Sequence, residues 1–247
     1  MTVAHRILDP NTSDPTAVNL CALAVMTKVP RAGHVKTRLV PPLSHAQAAQ
    51  LNICFLRDTA AAILSCSARA RGIGVYTPVG FESDYDGILP NDFELLAQRG
   101  DGFGERLRNA VEDLFAIGFK AVCLIDSDSP TVPAGAYRQA VDALLVRDVD
   151  VVLGPSDDGG YYLVGMKQMQ ERLFQEIDWS TERVFEQTIE RANELRLKLE
   201  LLPVCYDIDD AAALQRISND LLGGAEPDAV APHTRQFLNQ LSIQTPR

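Results

Sequence analysis

Four cations and a histidine stand close together in the stretch KVPRAGHVKTRL of this acidic chain. Lys28, Arg31, Lys36 and Arg38 cannot neutralise one another, and Gly33 lets a ligand approach the backbone closely. Such a loop suits a polyanion such as a diphosphate. The alternative is a solvated loop that pairs with the chain's own carboxylates. The stretch has neither the glycine spacing of a P-loop nor that of the G-x-G-x-x-G fingerprint.

Two carboxylates, Asp126 and Asp128, are separated by one residue in the stretch DSDSP, which follows the apolar run AVCLI. Alternate side chains of a strand share a face, so the pair can present hard oxygen ligands to Mg²⁺ or Mn²⁺. Asp209, in the later stretch DIDD, is a third candidate metal ligand. The alternatives are ordinary ones: an acid of DSDSP caps the following turn, and Asp209 or Asp210 is the N-cap of the next helix.

Three further stretches carry residue types that bind or react. In PSDDGGYY, Asp158 could orient an acceptor hydroxyl or act as its base, although an Asp-Gly turn explains the same residues. In GDGFGER, Gly104 and Arg106 suit a loop on the nucleotide side, and a turn before a helix is the alternative. Trp179, in WST, either stacks on a ligand or belongs to a helix cap.

Apolar runs alternate with helix-like segments along the chain, which predicts a mainly parallel sheet covered by helices on both faces. The strand-like runs are residues 19–27, 73–77, 121–125, 149–154, 161–166 and 197–204. Ligands of such sheets bind beyond the carboxyl ends of the strands. The basic loop, DSDSP and PSDDGG each follow a strand directly, so we expect them to meet at one edge of the sheet.

The domain organisation follows from the same pattern. Residues 1–18 are polar and broken by prolines, and we expect a flexible arm there. Residues 19–222 are expected to form a single domain, and residues 223–247 a C-terminal tail or helix.

The composition excludes several classes of protein. Hydrophobic residues make up 46% and charged residues 23%, which is typical of a globular protein with a core. The net charge of −10 argues against a nucleic acid polymer as partner. The five scattered cysteines, the lack of a signal peptide pattern and the lack of an apolar run of roughly 20 residues favour a cytoplasmic protein without a membrane span.

The motifs form an ordered set: K-x-P-x-x-G-x-V-K-T-R-L, G-D-x-x-G-E-R, S-D-S-P, G-P-x-x-D-G-G-Y-Y-L-x-G, W-S-T and D-x-D. As a set, they resemble the glycosyltransferase-A-like family of small bacterial nucleotide-diphospho-sugar transferases, many of which are labelled only as glycosyltransferases by inference or as a domain of unknown function. The likeness spans roughly residues 20–222. It extends to guanylyl- and molybdenum-cofactor nucleotidyltransferases.

The resemblance implies a Rossmann-like three-layer α/β/α fold that binds a nucleotide diphosphate with a divalent metal. By that likeness, Lys28, Lys36 and Arg38 face phosphates, Asp128 is the principal metal ligand, and Asp158 lies in the acceptor region. The chain departs from the family pattern at three positions. They are His34 where arginine is usual, Asp126 where glycine is usual and Asp210 where threonine is usual.

These observations favour a metal-dependent transferase, a glycosyltransferase with a nucleotide-sugar donor and a small-molecule acceptor. The basic loop, with Lys36 at its centre, would offset the charge that develops on the leaving nucleotide diphosphate. A nucleotidyltransferase that uses an NTP and a phosphorylated acceptor, and releases pyrophosphate, is the first alternative. A non-catalytic nucleotide-binding module is the second.

Overall fold

The computed structural model describes residues 4–66, 68–224, 227 and 229–244. Within these residues, seven strands and six helices alternate along most of the chain. The strands are β1 (Cys21–Lys28), β2 (Ala70–Thr77), β3 (Glu94–Ala97), β4 (Ala121–Ile125), β5 (Val151–Pro155), β6 (Tyr161–Met166) and β7 (Leu199–Leu201). The helices are α1 (His45–Cys66), α2 (Phe103–Ile117), α3 (Ala134–Leu145), α4 (Val184–Glu194), α5 (Ala211–Leu222) and α6 (Pro232–Gln244).

All seven strands form one sheet in the order β3-β2-β1-β4-β6-β5-β7. Every pairing is parallel except those of β6, which runs antiparallel to both β4 and β5. The exception has a local cause, because the short connection between β5 and β6 can only join antiparallel neighbours. The α/β fold with a mainly parallel sheet is therefore confirmed.

The sheet separates two hydrophobic cores, as the two-sided burial of parallel strands requires. In β1, Cys21, Leu23 and Val25 pack into the core that includes α1 and α3. Ala22 and Ala24 point to the opposite core, which includes α2. This alternation builds the three layers and buries β1 on both of its faces.

Helices α5 and α6 form a third cluster with Ala48, Leu51 and Phe55 of α1. Asp58 of α1 is buried and accepts hydrogen bonds from the backbone nitrogens of His233 and Thr234, at 3.0 and 2.9 Å, so it caps the start of α6. Residues 232–244 of the expected C-terminal tail or helix are thus helical. Residues 225, 226, 228 and 245–247 of that segment lie outside the described residues.

The segment expected to form a flexible arm contacts the sheet at two points. The backbone nitrogen of Leu8 donates a hydrogen bond to the carbonyl of Leu95 in β3 (2.8 Å), and Asp14 pairs with Arg71 in β2 (2.9 Å). The last strand, expected over residues 197–204, covers only Leu199–Leu201, and Pro203 beyond it has no N–H to extend the ladder. No helix within the described ranges combines the length and the apolar character that a membrane span requires.

Candidate active site

Four loops meet at one edge of the sheet because β1, β4, β5 and β7 run in the same direction. The segment that follows β7 crosses the ends of the neighbouring strands. Cys205 donates to the carbonyl of Pro155 at 3.0 Å, and Ile208 donates to the carbonyl of Asp128 at 3.0 Å. These hydrogen bonds hold the segment after β7 across the sheet edge, so that Asp207 and the residues after it lie beside the end of β4.

Lys36 lies at the centre of this edge. Its Nζ is 2.9 Å from Oδ1 of Asp128, 2.8 Å from Oδ1 of Asp209 and 2.8 Å from the carbonyl oxygen of Ile208. Its side chain is only 5% exposed, and the ring of Phe55 covers it at 5.7 Å. Burial acts to lower the pKa of Lys36, but the two carboxylates outweigh it and the pKa is raised. The ammonium therefore stays charged in a largely enclosed position.

The other cations of the basic loop divide into two groups. Arg38 is 79% exposed and lies 3.8 Å from Asp209. Lys28, Lys36 and Arg38 line one groove of about 260 Å³, which we call the basic groove; its other walls include Asn52, Ser127, Asp128 and Asp209. The structure does not bring Arg31 to this groove.

Arg31 points to the β2 side of the loop instead. Its guanidinium lies 2.8 Å from Asp84 and 3.8 Å from the centre of the Phe81 ring. Gly33 has a φ of 80°, a left-handed conformation that favours glycine, while a β-carbon there would meet no atom within 4 Å. Glycine is thus required here by the backbone conformation of the loop and not by close packing.

The carboxylates at the strand ends crowd one another. Burial and the nearby Asp128 raise the pKa of Asp126 to about 8, although Ser129 donates a hydrogen bond of 2.6 Å to its Oδ2. Burial, together with Asp158 and Asp209, raises the pKa of Asp207 to about 6. Asp207 was not among the predicted site residues, although the spacing of DIDD offered the signal. The crowding of carboxylates thus favours the protonated form of Asp126 at neutral pH.

The carboxylates at this edge have the right chemistry to bind a hard divalent cation, but their arrangement is not that of a complete metal site. Among the described residues, no three Asp, Glu, His or Cys side chains are arranged to hold an ion by themselves. Asp128 and Asp209 instead flank the ammonium of Lys36. Mg²⁺ is commonly bound by one or two carboxylates together with substrate phosphates. The arrangement suits a metal that arrives with its nucleotide better than a permanently bound one.

The two acids of DIDD that sequence reasoning could not separate have different partners. Oδ1 of Asp210 accepts a hydrogen bond of 2.8 Å from the backbone of Ala213, so Asp210 is the N-cap of α5. Asp209 pairs with Lys36.

A cleft of about 480 Å³ opens on the other side of Asp128, and we call it the aromatic cleft. Phe103 and Trp179 form part of its wall, with ring centres 5.6 Å apart and planes at 78°. Trp179 packs directly on Gly104, where a β-carbon would lie 2.1 Å from its Nε1. Gly104 is thus needed for the close approach of the indole.

The remaining predicted residues have structural partners. Arg106 donates to the carbonyl oxygens of Gly100 (3.0 Å) and Asp101 (3.2 Å), and so it closes the glycine-rich turn before α2. Asp158 accepts a hydrogen bond of 2.9 Å from the backbone of Gly160 and lines the aromatic cleft. The structure therefore brings Lys28, Lys36, Arg38, Asp126, Asp128, Asp158 and Asp209 to one edge, with Gly104 behind the wall of the cleft.

The sheet order, with polar loops gathered at the carboxyl ends of its strands, defines an α/β protein of the nucleotide-diphospho-sugar transferase type. Comparison with known proteins agrees. The family described as "Uncharacterized protein conserved in bacteria (DUF2064)" matches residues 59–181. No curated protein sequence matches the chain.

Solved structures extend the match to most of the chain. A protein from Desulfovibrio desulfuricans G20, described as a "putative nucleotide-diphospho-sugar transferase", is 26% identical, with a TM-score of 0.76 over 89% of this chain and 97% of that chain. A CMP:2-keto-3-deoxy-manno-octonic acid synthetase complexed with CTP shares the fold at 8% identity, with a TM-score of 0.54 over 84% and 100%. A cytidylyltransferase from Leptospira borgpetersenii shares it at 10% identity, with a TM-score of 0.52 over 91% and 94%. The resemblance stated from the motifs is confirmed, and the chain is a transferase by fold and resemblance.

Proposed function

We propose that the protein is a metal-dependent glycosyltransferase that uses a nucleotide-diphospho-sugar donor. One observation carries this proposal. The basic groove and the aromatic cleft share a boundary, formed by Arg38, Ser127, Asp128 and Asp209. A donor whose diphosphate lies in the groove would present its sugar at this boundary, where an acceptor in the cleft can reach it.

The basic groove has the charge that a diphosphate requires. Lys28 and Arg38 would bind its oxygens through charge-assisted hydrogen bonds. Lys36, whose three N–H groups already contact Asp128, Asp209 and the carbonyl of Ile208, would attract the diphosphate through its charge. Lys36 is held in place by Asp128, Asp209 and Phe55, so little side-chain freedom remains to be lost on binding. Mg²⁺ or Mn²⁺ held by Asp128 and Asp209, with Asp126 beside them, would supply further positive charge to the diphosphate.

The transfer itself needs a base and a stabilised leaving group. In this proposal, the acceptor hydroxyl oxygen attacks the anomeric carbon, and its proton passes to the carboxylate of Asp158. The bond between the anomeric carbon and the phosphate oxygen breaks, and its electron pair leaves with the nucleoside diphosphate. Lys36 and Arg38 offset the charge that develops on that leaving group.

A nucleotidyltransferase is the second candidate, because the same fold occurs in a synthetase complexed with CTP. It would join a nucleotide to a phosphorylated acceptor by attack at the α-phosphorus, with pyrophosphate as the leaving group. The two reactions use the same groove but release different products.

Product analysis tests the choice. Purified protein is first screened by thermal shift against nucleotides and nucleotide sugars with and without Mn²⁺, and the stabilising donor is then incubated with a panel of acceptors. Release of a nucleoside diphosphate supports glycosyl transfer. Release of pyrophosphate from an NTP overturns it in favour of the second candidate. Binding without turnover of any donor would contradict both.

A further inference from the structure

The aromatic cleft indicates which class of acceptor the enzyme takes. We propose that the acceptor carries no negative charge, and that it offers hydroxyl groups on one side and an apolar face on the other. This proposal rests on the proposed function, since it assumes that the acceptor binds in the aromatic cleft. The charge and the lining of the cleft are the evidence for the class of acceptor.

The charge of the cleft is opposite to that of the groove beside it. Six acidic residues line the cleft: Asp126, Asp128, Asp158, Glu182, Asp207 and Asp209. Because burial raises the pKa of Asp126 to about 8, the negative charge of the cleft at neutral pH comes from the other acids. Arg38, at the shared boundary, is the one Lys or Arg among the described residues of its lining. The negative electrostatic potential of these acids would repel an acceptor that carries a phosphate or a carboxylate.

The acids also define the hydrogen bonds that a ligand must make. An ionised carboxylate only accepts hydrogen bonds, so a ligand in contact with Asp158 or Glu182 has to donate. Hydroxyl groups meet this requirement, whereas phosphate oxygens at neutral pH do not. Ser180 and Thr181 add hydroxyls that can either donate or accept.

Other parts of the lining are apolar and include an exposed aromatic ring. Phe103, the first residue of α2, is 54% exposed and makes an edge-to-face contact with Trp179. The buried residues Leu107 and Val164 also line the cleft. An exposed ring beside polar acceptors suits a ligand that packs one apolar face while its other face donates hydrogen bonds.

The expected charge of the acceptor also distinguishes glycosyl transfer from nucleotidyl transfer, independently of the products that the two reactions release. Glycosyl transfer is compatible with a neutral acceptor, but the nucleotidyltransferase alternative requires a phosphorylated one. The acidic lining of the cleft therefore favours glycosyl transfer.

A matched pair of probes tests the charge preference. Trp179 is the single tryptophan of the chain, so intrinsic fluorescence reports directly on the cleft. Phenyl β-D-glucopyranoside and phenyl β-D-glucuronide share a ring and a sugar frame and differ by one carboxylate. We expect the glucoside to change the emission of Trp179 and to bind at least about tenfold more tightly. Added salt should narrow the difference, since it screens the acids.

Variants test the apolar and the acidic lining separately. Phe103→Ser should weaken glucoside binding about fivefold to tenfold through loss of ring contact, whereas Val146→Ser, at another exposed apolar residue after α3, should not change it. Glu182→Gln should bring the glucuronide closer to the glucoside in affinity. Circular dichroism and thermal unfolding establish that each variant is folded.

Several outcomes would overturn the inference: equal or tighter binding of the glucuronide, no response of Trp179 to either probe, or an unchanged affinity in Phe103→Ser. Titration with nucleoside diphosphates and Mn²⁺ keeps this failure distinct from failure of the proposed function. If the glucoside binds as expected but no nucleotide does, the donor chemistry is wrong and the cleft assignment stands. If nucleotides bind but the glucuronide is preferred, only the acceptor class is wrong.

Discussion

The Nζ of Lys36 lies 2.9 Å from Oδ1 of Asp128, which joins the loop after β1 to the loop after β4 through one buried ammonium. Asp209, on the segment after β7, contacts the same nitrogen at 2.8 Å. Three loops that are far apart in sequence thus share one charged atom. The contact places Lys36 of the predicted phosphate loop beside the predicted metal ligands Asp128 and Asp209.

Replacement of Lys36 by methionine keeps the length of the side chain but removes its charge. We expect the affinity for nucleoside diphosphates to fall about 10- to 100-fold, because the buried positive charge that attracts the diphosphate and offsets Asp128 and Asp209 is lost. Isothermal titration calorimetry measures the effect. Lys120→Met, at an exposed lysine after α2, serves as the control and should bind as the wild type does. An unchanged affinity in Lys36→Met would remove this residue from the phosphate site.

Asp128→Asn retains the shape of the side chain and removes a metal-ligating charge. We expect it to abolish the Mn²⁺-dependent part of the thermal shift that a nucleoside diphosphate produces, because one of two flanking carboxylates is lost. Asp210→Asn is the matched control, since asparagine can also cap α5 and Asp210 does not contact Lys36. A full Mn²⁺-dependent shift in Asp128→Asn would reject its role as a ligand.

Two neighbouring glycines test the packing behind the aromatic cleft. In Gly104→Ala, the new methyl group would lie 2.1 Å from Nε1 of Trp179, so the indole must move. We expect a changed tryptophan emission and a loss of about 1–3 kcal/mol in the free energy of unfolding. Gly102→Ala places the same methyl group in open space, and its cost should be at most about 1 kcal/mol. Similar fluorescence and stability in both variants would contradict this packing.

Asp14 predicts how stability depends on pH. It is buried, and hydrogen bonds from Thr16, together with Arg71 and Arg6, hold its pKa well below the usual range. The ionised form is therefore favoured by folding. The contribution of ionised Asp14 to the free energy of unfolding is complete above the ordinary aspartate pKa of about 3.9. It declines as the pH falls below that value.

We expect Asp14→Asn to lower the free energy of unfolding by about 1–2 kcal/mol at pH 7, and by less as the pH falls below about 4. Urea denaturation at pH 7, 4 and 2.5 measures the difference. Asp92→Asn, at an exposed position, should differ little from the wild type at any pH. A deficit in Asp14→Asn that is the same at all three pH values would show that the charge is not what stabilises the fold.

Much of the candidate site was visible in the sequence because strand ends set its position. The loops after β1, β4 and β5 each follow an apolar run, and parallel strands bring their carboxyl ends to one edge. The role of Arg31 was not visible, because Asp84 and Phe81 come from a different loop and only the fold brings them to the guanidinium. The position of Trp179 depends in the same way on Gly104 of another element.

The sequence by itself determined the alternation of strands and helices, the sheet type and the residues able to bind phosphate or metal, because burial periodicity and side-chain chemistry are local properties. Tertiary structure alone decided which of these residues share a site. Asp209 and Asp210 are adjacent and chemically identical, yet one pairs with Lys36 and the other caps α5. Their roles differ because electrostatic and hydrogen-bond partners are set by distances in space, which neighbouring positions in the chain do not share.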